Sequence, residues 1–283
     1  MSKLDKDALR KTLSPLYADM SKHSAYQTVP DFVAEAIDYQ VQIDEGWRGD
    51  RVRLRWFERV LAGRHGGRWA DFGANTGFFC LSLAKADPSR EVLAIEGNPN
   101  HAKFIRTIAE GFNLRNLEVL SRAVEIEDLE LLPEVDVMLH LNVLHHAGSD
   151  FDSGKLITPK DFLHYARNYL ELLRGRVGTL VFQMGTNLWG DKTKPIINYA
   201  DDTGKLLMFA ALLRDAGWQV DRVAYPTRPA EDRDIEYVDL PRNLDLADSA
   251  AIHTALSPFN LGAHRGEFYR RPLFLCSGSD GRP

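Results

Sequence analysis

Cysteine is scarce in this chain: two in 283 residues, Cys80 and Cys276, each inside an apolar run. That argues against a disulfide scaffold and a cysteine-rich metal site. No apolar run approaches the ~20 residues a bilayer-spanning helix needs, so no membrane segment is expected. The opening residues MSKLDKDALRKTLSPLY are charged and lack the apolar core of a secretory signal, which makes a cytoplasmic protein the expectation. A basic excess is also missing: 35 Lys and Arg stand against 40 Asp and Glu, a net charge of −5. Nucleic acid is therefore disfavoured as a partner, although a local basic patch stays open. There is no internal repeat and no low-complexity tract. The strict His and Cys spacing of a zinc site is absent. Asp150 and Asp152 could hold a divalent ion beside His145 and His146, but no metal is expected. Self-association stays open.

What is present is an ordered series of short apolar strands and helical stretches. The length suits one large domain, or one with an appendage. Residues 1–64 read as a helical appendage or lid, with helices expected over Leu4–Met20, Pro30–Val41 and Arg51–Ala62. The last of these is expected to turn an arginine-rich side outward, with Arg51, Arg53, Arg55 and Arg59. From residue 65 strands and helices alternate, which predicts a mainly parallel sheet covered on both faces. Strands are expected over Arg68–Phe72, Glu91–Ile95, Leu117–Ser121, Val135–Leu141, Gly178–Met184, Gln219–Tyr225 and Arg271–Cys276. The polar, proline-bearing segment 226–266 reads as an insertion capping a pocket.

The densest information lies in Arg68–Asn98. A short strand ends at Asp71-Phe72, and Gly73 and Gly77 follow on either side of Ala74-Asn75-Thr76. Glycine is needed where the backbone turns left-handed or approaches a ligand closely. The helix that follows offers unpaired N–H groups at its start. The next strand ends in Glu96, roughly 20 residues past the loop, where a carboxylate can accept from both hydroxyls of a ribose. Asn75 replaces the middle glycine of a dinucleotide loop, so its side chain would fill the space a pyrophosphate needs. Asp71, just before the turn, suits an ammonium group. A ribose, a carboxylate and an ammonium together describe S-adenosylmethionine.

These residues, with Asn142-Val143-Leu144-His145-His146 after the fourth strand, resemble the class I S-adenosylmethionine-dependent methyltransferases. The resemblance runs from Arg68 to Val223 and takes in the terminal strand near Leu273. It implies a Rossmann-like methyltransferase fold, a seven-stranded and mostly parallel sheet whose last strand is antiparallel. It implies cofactor contacts from Asp71, Gly73, Asn75, Gly77, Glu96, Asn98, Ala123 and Asn142. Arg122-Ala123 departs from the family's acidic-then-alanine pair beside the adenine.

Methyl transfer asks the protein to position a nucleophile and, for a hydroxyl acceptor, to take its proton. In open α/β sheets the site lies outside the C-terminal strand ends. His146 and His145 are candidate bases there, His146 preferred, and the other reading is that the pair only orients its loop. Gln183 and Asn187 after the fifth strand, and Tyr26 in the appendage (with His23 and Tyr17 beside it), are candidate acceptor contacts. The expected activity is O-methylation of a polar small molecule such as a sugar or nucleotide-sugar. An RNA-modifying enzyme of the same fold and a non-catalytic cofactor-binding scaffold are the alternatives.

Overall fold

The computed structural model describes residues 6–11, 28–37, 49–155, 157–196, 201–227, 236–259 and 270–278. Within them, eight strands form one sheet: β1 (Arg68–Phe72), β2 (Glu91–Ile95), β3 (Leu117–Leu120), β4 (Val135–Leu141), β5 (Val177–Gln183), β6 (Trp218–Pro226), β7 (Tyr237–Asp239) and β8 (Leu273–Gly278). Their order is β3-β2-β1-β4-β5-β8-β6-β7. The first five pair in parallel, while β8 is antiparallel to both β5 and β6.

The expectation of seven strands is corrected by β7. This three-residue strand pairs antiparallel with the end of β6, Ala224 opposite Asp239. It lies inside the segment expected to cap a pocket, and is too short for alternation to be read from sequence. The described remainder of that segment holds a helix over Ser249–Leu256, whose Ile252 and Leu256 join the core on one sheet face. This part extends the sheet and covers it. Residues 228–235 and 260–269 lie outside the described residues.

Helices cover both faces. On one side lie α1 (Asp31–Ile37), α2 (Asp50–Val60), α3 (Phe78–Ala86) and α4 (Pro99–Gly111), whose Val33, Trp56, Phe57, Leu81, Phe104, Ile105 and Ile108 share a core with Trp69, Val137, Val181 and Leu275. On the other lie α5 (Phe162–Arg174), α6 (Asp202–Asp215) and the helix at 249–256, numbered α7. Parallel strands buried on both faces read as apolar runs rather than alternating ones, and β1, β2 and β4 do so. Helix ends obey their local chemistry. Asn98 caps α4 by accepting from Asn100 N–H, with Pro99 at the first helical position. Gly217, at φ +81°, stops α6 and donates its N–H to Arg214 O.

Of the region before residue 64, helix α2 is part of this sandwich. Its Trp56, Phe57 and Leu61 pack in the same core as Trp69, and Trp56 Nε1 donates to Asp239 of β7 at 2.6 Å. The expected first helix is described only at 6–11, where it is helical. Among the described residues no helix is long and apolar enough to cross a membrane.

The chain reverses its lateral order between β1 and β4. At such a switch point the loops leaving the two strands diverge and open a crevice at their C-terminal ends. Phe104 is fully buried beneath this crevice's α4 wall, while Leu131 is 74% exposed. Phe104→Ala is expected to lower the unfolding free energy by about 3–5 kcal/mol, and Leu131→Ala by no more than about 0.5 kcal/mol. Denaturant titration of both variants checks the pair.

Candidate active site

The crevice starts with the loop after β1. Gly73, Asn75 and Gly77 all have left-handed backbone, at φ +71°, +52° and +84°. A Cβ at 73 would come within 2.5 Å of Val143 Cγ2, so the loop after β1 and the loop after β4 touch only because residue 73 is glycine. A Cβ at 77 would meet Ile105 Cγ1 at 2.8 Å, and Gly77 thereby lets α3 settle against α4.

Asp71 lies beneath this loop, buried, and its carboxylate accepts the N–H of Cys80 at 3.0 Å. The protein's own acid thus sits at the start of α3, among the unpaired N–H groups expected there. Burial pushes the carboxyl from its ordinary 3.8 up to about 7, the Cys80 N–H pulls it back, and the carboxylates of Glu96 and Asp50 raise it further.

Glu96, at the end of β2, accepts from Asn75 N–H at 2.6 Å with one oxygen and from Asn98 N–H at 2.8 Å with the other. Each carboxylate oxygen has a second lone pair. Glu96 is therefore fixed in orientation and still able to accept. The Asn98 side chain turns to its helix cap. Ala123 lies against Gly97, where a Cβ would be 3.4 Å from Ala123 Cα. Arg122, which departs from the family pair, turns to Asp128 at 3.6 Å.

The other half of the crevice is a buried polar network. Asn142, left-handed at φ +62°, donates from Nδ2 to Gln183 Oε1 at 2.9 Å and accepts from Arg271 Nη1 at 2.8 Å. Gln183 Oε1 also accepts from Arg53 Nη1 at 3.1 Å, and its Nε2 donates to Tyr237 Oη and Arg271 O. All four hydrogen-bonding positions of the amide are taken inside the protein. Gln183, expected to meet an acceptor hydroxyl, instead holds the floor together. Arg53, expected on a solvated face, is buried and paired with Asp50. Asp50 accepts from Thr28 Oγ1 at 2.5 Å, and Thr28 O accepts from Thr76 Oγ1 at 3.0 Å, which brings the network back to the glycine loop.

Sequence reading missed Asp50, Arg53, Tyr237 and Arg271 as parts of one network. A signal existed for two of them: Asp50 and Arg53 stand six and three residues before Trp56, on the helical stripe that Trp56 and Phe57 bury. Arg51 pairs with Asp31 and Arg59 lies 3.7 Å from Asp239, so two of the remaining arginines of α2 have acidic partners.

The two histidines after β4 differ. His145 is buried, and its Nδ1 accepts the N–H of Gly185 at 3.3 Å, which assigns the proton to Nε2 when the ring is neutral. His146 is partly exposed, its Nδ1 3.2 Å from Asp150 Oδ2. Asp152, by contrast, is fully buried and accepts from Ile126 N–H and Tyr165 Oη, so the two acids have separate partners. Among the described residues no group of three or more His, Cys, Asp or Glu is placed to hold a metal. Asn187 is half-exposed, in a backbone bridge with Pro195. Tyr26, with His23 and Tyr17, lies outside the described residues.

No family model matches the sequence, and no curated protein matches it. Solved structures do. WbdD superposes with a TM-score of 0.55 at 16% identity, over 94% of this chain and 46% of WbdD. A second structure, of the bifunctional kinase–methyltransferase WbdD, gives 0.52 at 17% identity over 94% and 46%. EvdMO1 gives 0.50 at 16% identity, over 84% of this chain and 47% of its own. The chain has the class I S-adenosylmethionine-dependent methyltransferase fold. It spans about half the length of these solved structures. In this fold the crevice between β1 and β4 is the place where Gly73, Glu96 and Asn142 converge.

Asp71 generates a stability prediction. Its folded-state value is raised, so from pH 3.8 to about 7 the native state keeps a proton that the unfolded chain releases. Stability from this group is present at low pH and lost as the pH rises through that window. Asp71→Asn can still accept from Cys80 N–H without the buried charge. The variant is expected to melt about 2–4 °C higher than the parent at pH 8 and level with it at pH 4. Calorimetry at both pH values checks the sign.

Proposed function

We propose that this chain is an S-adenosylmethionine-dependent methyltransferase acting on an oxygen of a polar small molecule, of the sugar or nucleotide-sugar kind. The observation that carries the reading is Asp71 buried at the start of α3, with Glu96 and Asp50 close enough to add to its field. A dinucleotide places its pyrophosphate at the corresponding helix start. Here that position already holds a carboxylate, and the multiple negative charge of a pyrophosphate would be repelled. A ligand that brings an ammonium group is favoured.

The residues present fit this cofactor. Glu96 would take the ribose hydroxyls, held for the task by the Asn75 and Asn98 amides. Asp71 would answer the ammonium. Ala123 and Gly97 leave one wall of the crevice free of bulk, and Asn142 and Val143 close the side toward the acceptor. When bound, S-adenosylmethionine supplies an electrophilic methyl on a sulfonium centre.

The chain's own contribution is positioning and proton removal. His146 is the better base of the two histidines. The Nδ1 lone pair of His145 is engaged by Gly185 N–H, and burial isolates its ring from solvent. His146 has a carboxylate beside Nδ1 and partial access to water, so it can take a hydroxyl proton and release it. Asn187, at the base of the loop after β5, is the remaining polar candidate for acceptor contact. The likeness to the kinase–methyltransferase WbdD supports the assignment of the reaction class. The burial of Arg53 and the acidic partners of Arg51 and Arg59 support a small acceptor over RNA.

Titration calorimetry with S-adenosylmethionine and S-adenosylhomocysteine, against NAD and NADP, tests this. Binding of the first pair alone is expected. Glu96→Ala should weaken it by about 1–3 kcal/mol, the cost of removing a charged acceptor from hydroxyls. Nicotinamide binding, or unchanged affinity in a folded Glu96→Ala protein, would overturn the assignment.

A further inference from the structure

We infer that Arg271 is a positioning residue that commits the side chain of Asn142 to donating, so that the crevice takes an oxygen nucleophile and disfavours an amine. This deepens the methyltransferase reading and rests on it. Asn142, the first residue after β4, is half-buried at the crevice. The oxygen and nitrogen of an amide are told apart by their partners. Arg271 Nη1 lies 2.8 Å from one end of the amide, and a guanidinium only donates, so that end is Oδ1. The other end, Nδ2, gives one N–H to Gln183 Oε1 at 2.9 Å. Its second N–H takes no partner among the described residues and is left for a ligand.

The surroundings allow no reversal of this amide. Gln183 Oε1 also accepts from Arg53 Nη1 at 3.1 Å, and Gln183 Nε2 donates to the carbonyl of Arg271, which only accepts. Two arginines thus set the direction of both amides. The main chain of Asn142 is fixed as well, its N–H donating to Gln183 O at 2.7 Å with φ at +62°. Arg271, two residues before β8, is buried. Its carbonyl is held by Gln183 and by Tyr237 Oη at 3.2 Å. Its guanidinium passes against Gly185, where a Cβ would stand 2.7 Å from Nη2. The preceding residue is anchored too. Arg270 Nε donates to Asp202 Oδ2 at 3.0 Å, and the buried Lys205 donates to Arg270 O.

An attacking hydroxyl suits this arrangement. One oxygen lone pair forms the bond to the methyl carbon while the carbon–sulfur pair goes to sulfur, and the hydroxyl proton goes to the general base. The second lone pair of the oxygen accepts from Asn142 Nδ2. A neutral amine has a single lone pair, which the attack consumes, so it turns only N–H groups toward the Asn142 donor. Its nitrogen also gains positive charge as the bond forms. The remaining lone pair of Asn142 Oδ1 lies beside the Arg271 guanidinium, where a group gaining positive charge is repelled.

Sinefungin supplies the test, because it carries an amine-bearing carbon where S-adenosylmethionine carries the methyl sulfonium. Titration calorimetry compares its affinity with that of S-adenosylhomocysteine, which has neither group. Arg271→Met, which releases Asn142 Oδ1, is expected to raise the ratio of sinefungin affinity to S-adenosylhomocysteine affinity about tenfold, the effect of removing one repulsive charged contact. Arg271→Lys, still a donor and a cation, should leave the ratio unchanged. Asn142→Leu removes the donor, and the ratio should again rise; a fall there would mean that Asn142 accepts from the amine, which overturns the proposal. An unchanged ratio in a folded Arg271→Met protein overturns it too, and so does an equal loss of both affinities, the mark of a merely structural role. Wild type that binds neither ligand sinks the methyltransferase reading and this proposal with it, whereas binding of both with an unmoved ratio sinks this proposal alone.

Discussion

A carboxylate buried at the N-terminus of a helix constrains everything around the crevice. Helix starts favour negative charge, and Asp71 provides it from inside the protein through the Cys80 N–H. In exchange, the burial of that carboxylate and its nearness to Glu96 and Asp50 keep its proton near neutrality. The loop above it thus has an acid of its own beneath it, at a helix start that could otherwise seat an anion. The left-handed glycines decide the shape of the crevice.

The second constraint is that the crevice floor comes from parts of the chain far apart in sequence. Thr76 holds Thr28, Thr28 holds Asp50, Asp50 holds Arg53, and Arg53 holds Gln183. Gln183 then joins Asn142, Tyr237 and the carbonyl of Arg271. Buried polar groups are costly unless satisfied, and a fully satisfied network specifies one arrangement. The segment before β1 and the strand added at the sheet's far edge are thereby tied to the loop after β1. They act as structural members of the site as well as cover for the sheet.

Much of this was legible in the sequence, and the reasons are local. β2 and β4 have the bounds expected because strands buried on both faces leave apolar runs with polar ends. Gly73 and Gly77 announced left-handed backbone because few other residues tolerate it. The legible features depend on neighbours within a few positions. The hidden ones do not. Arg53 and Gln183 meet across 130 residues, and Arg271 reaches Asn142 across 129. Gln183 read as an open contact because it follows a strand at the correct edge, and only the fold shows its four partners. β7 is three residues long, below what alternation can reveal. The preference for His146 over His145 came from position alone, and its cause, the Gly185 N–H engaging the buried His145 ring, depends on the fold.

In the proposed function the crevice between β1 and β4 holds S-adenosylmethionine through Glu96 and Asp71. A crystal structure of the complex with S-adenosylhomocysteine is the most direct test. The ribose hydroxyls are expected on the Glu96 carboxylate, the ammonium on the Asp71 side of the glycine loop, and the sulfur beside Asn142. A ligand bound elsewhere, or one in the crevice that makes no contact with Glu96, would contradict it.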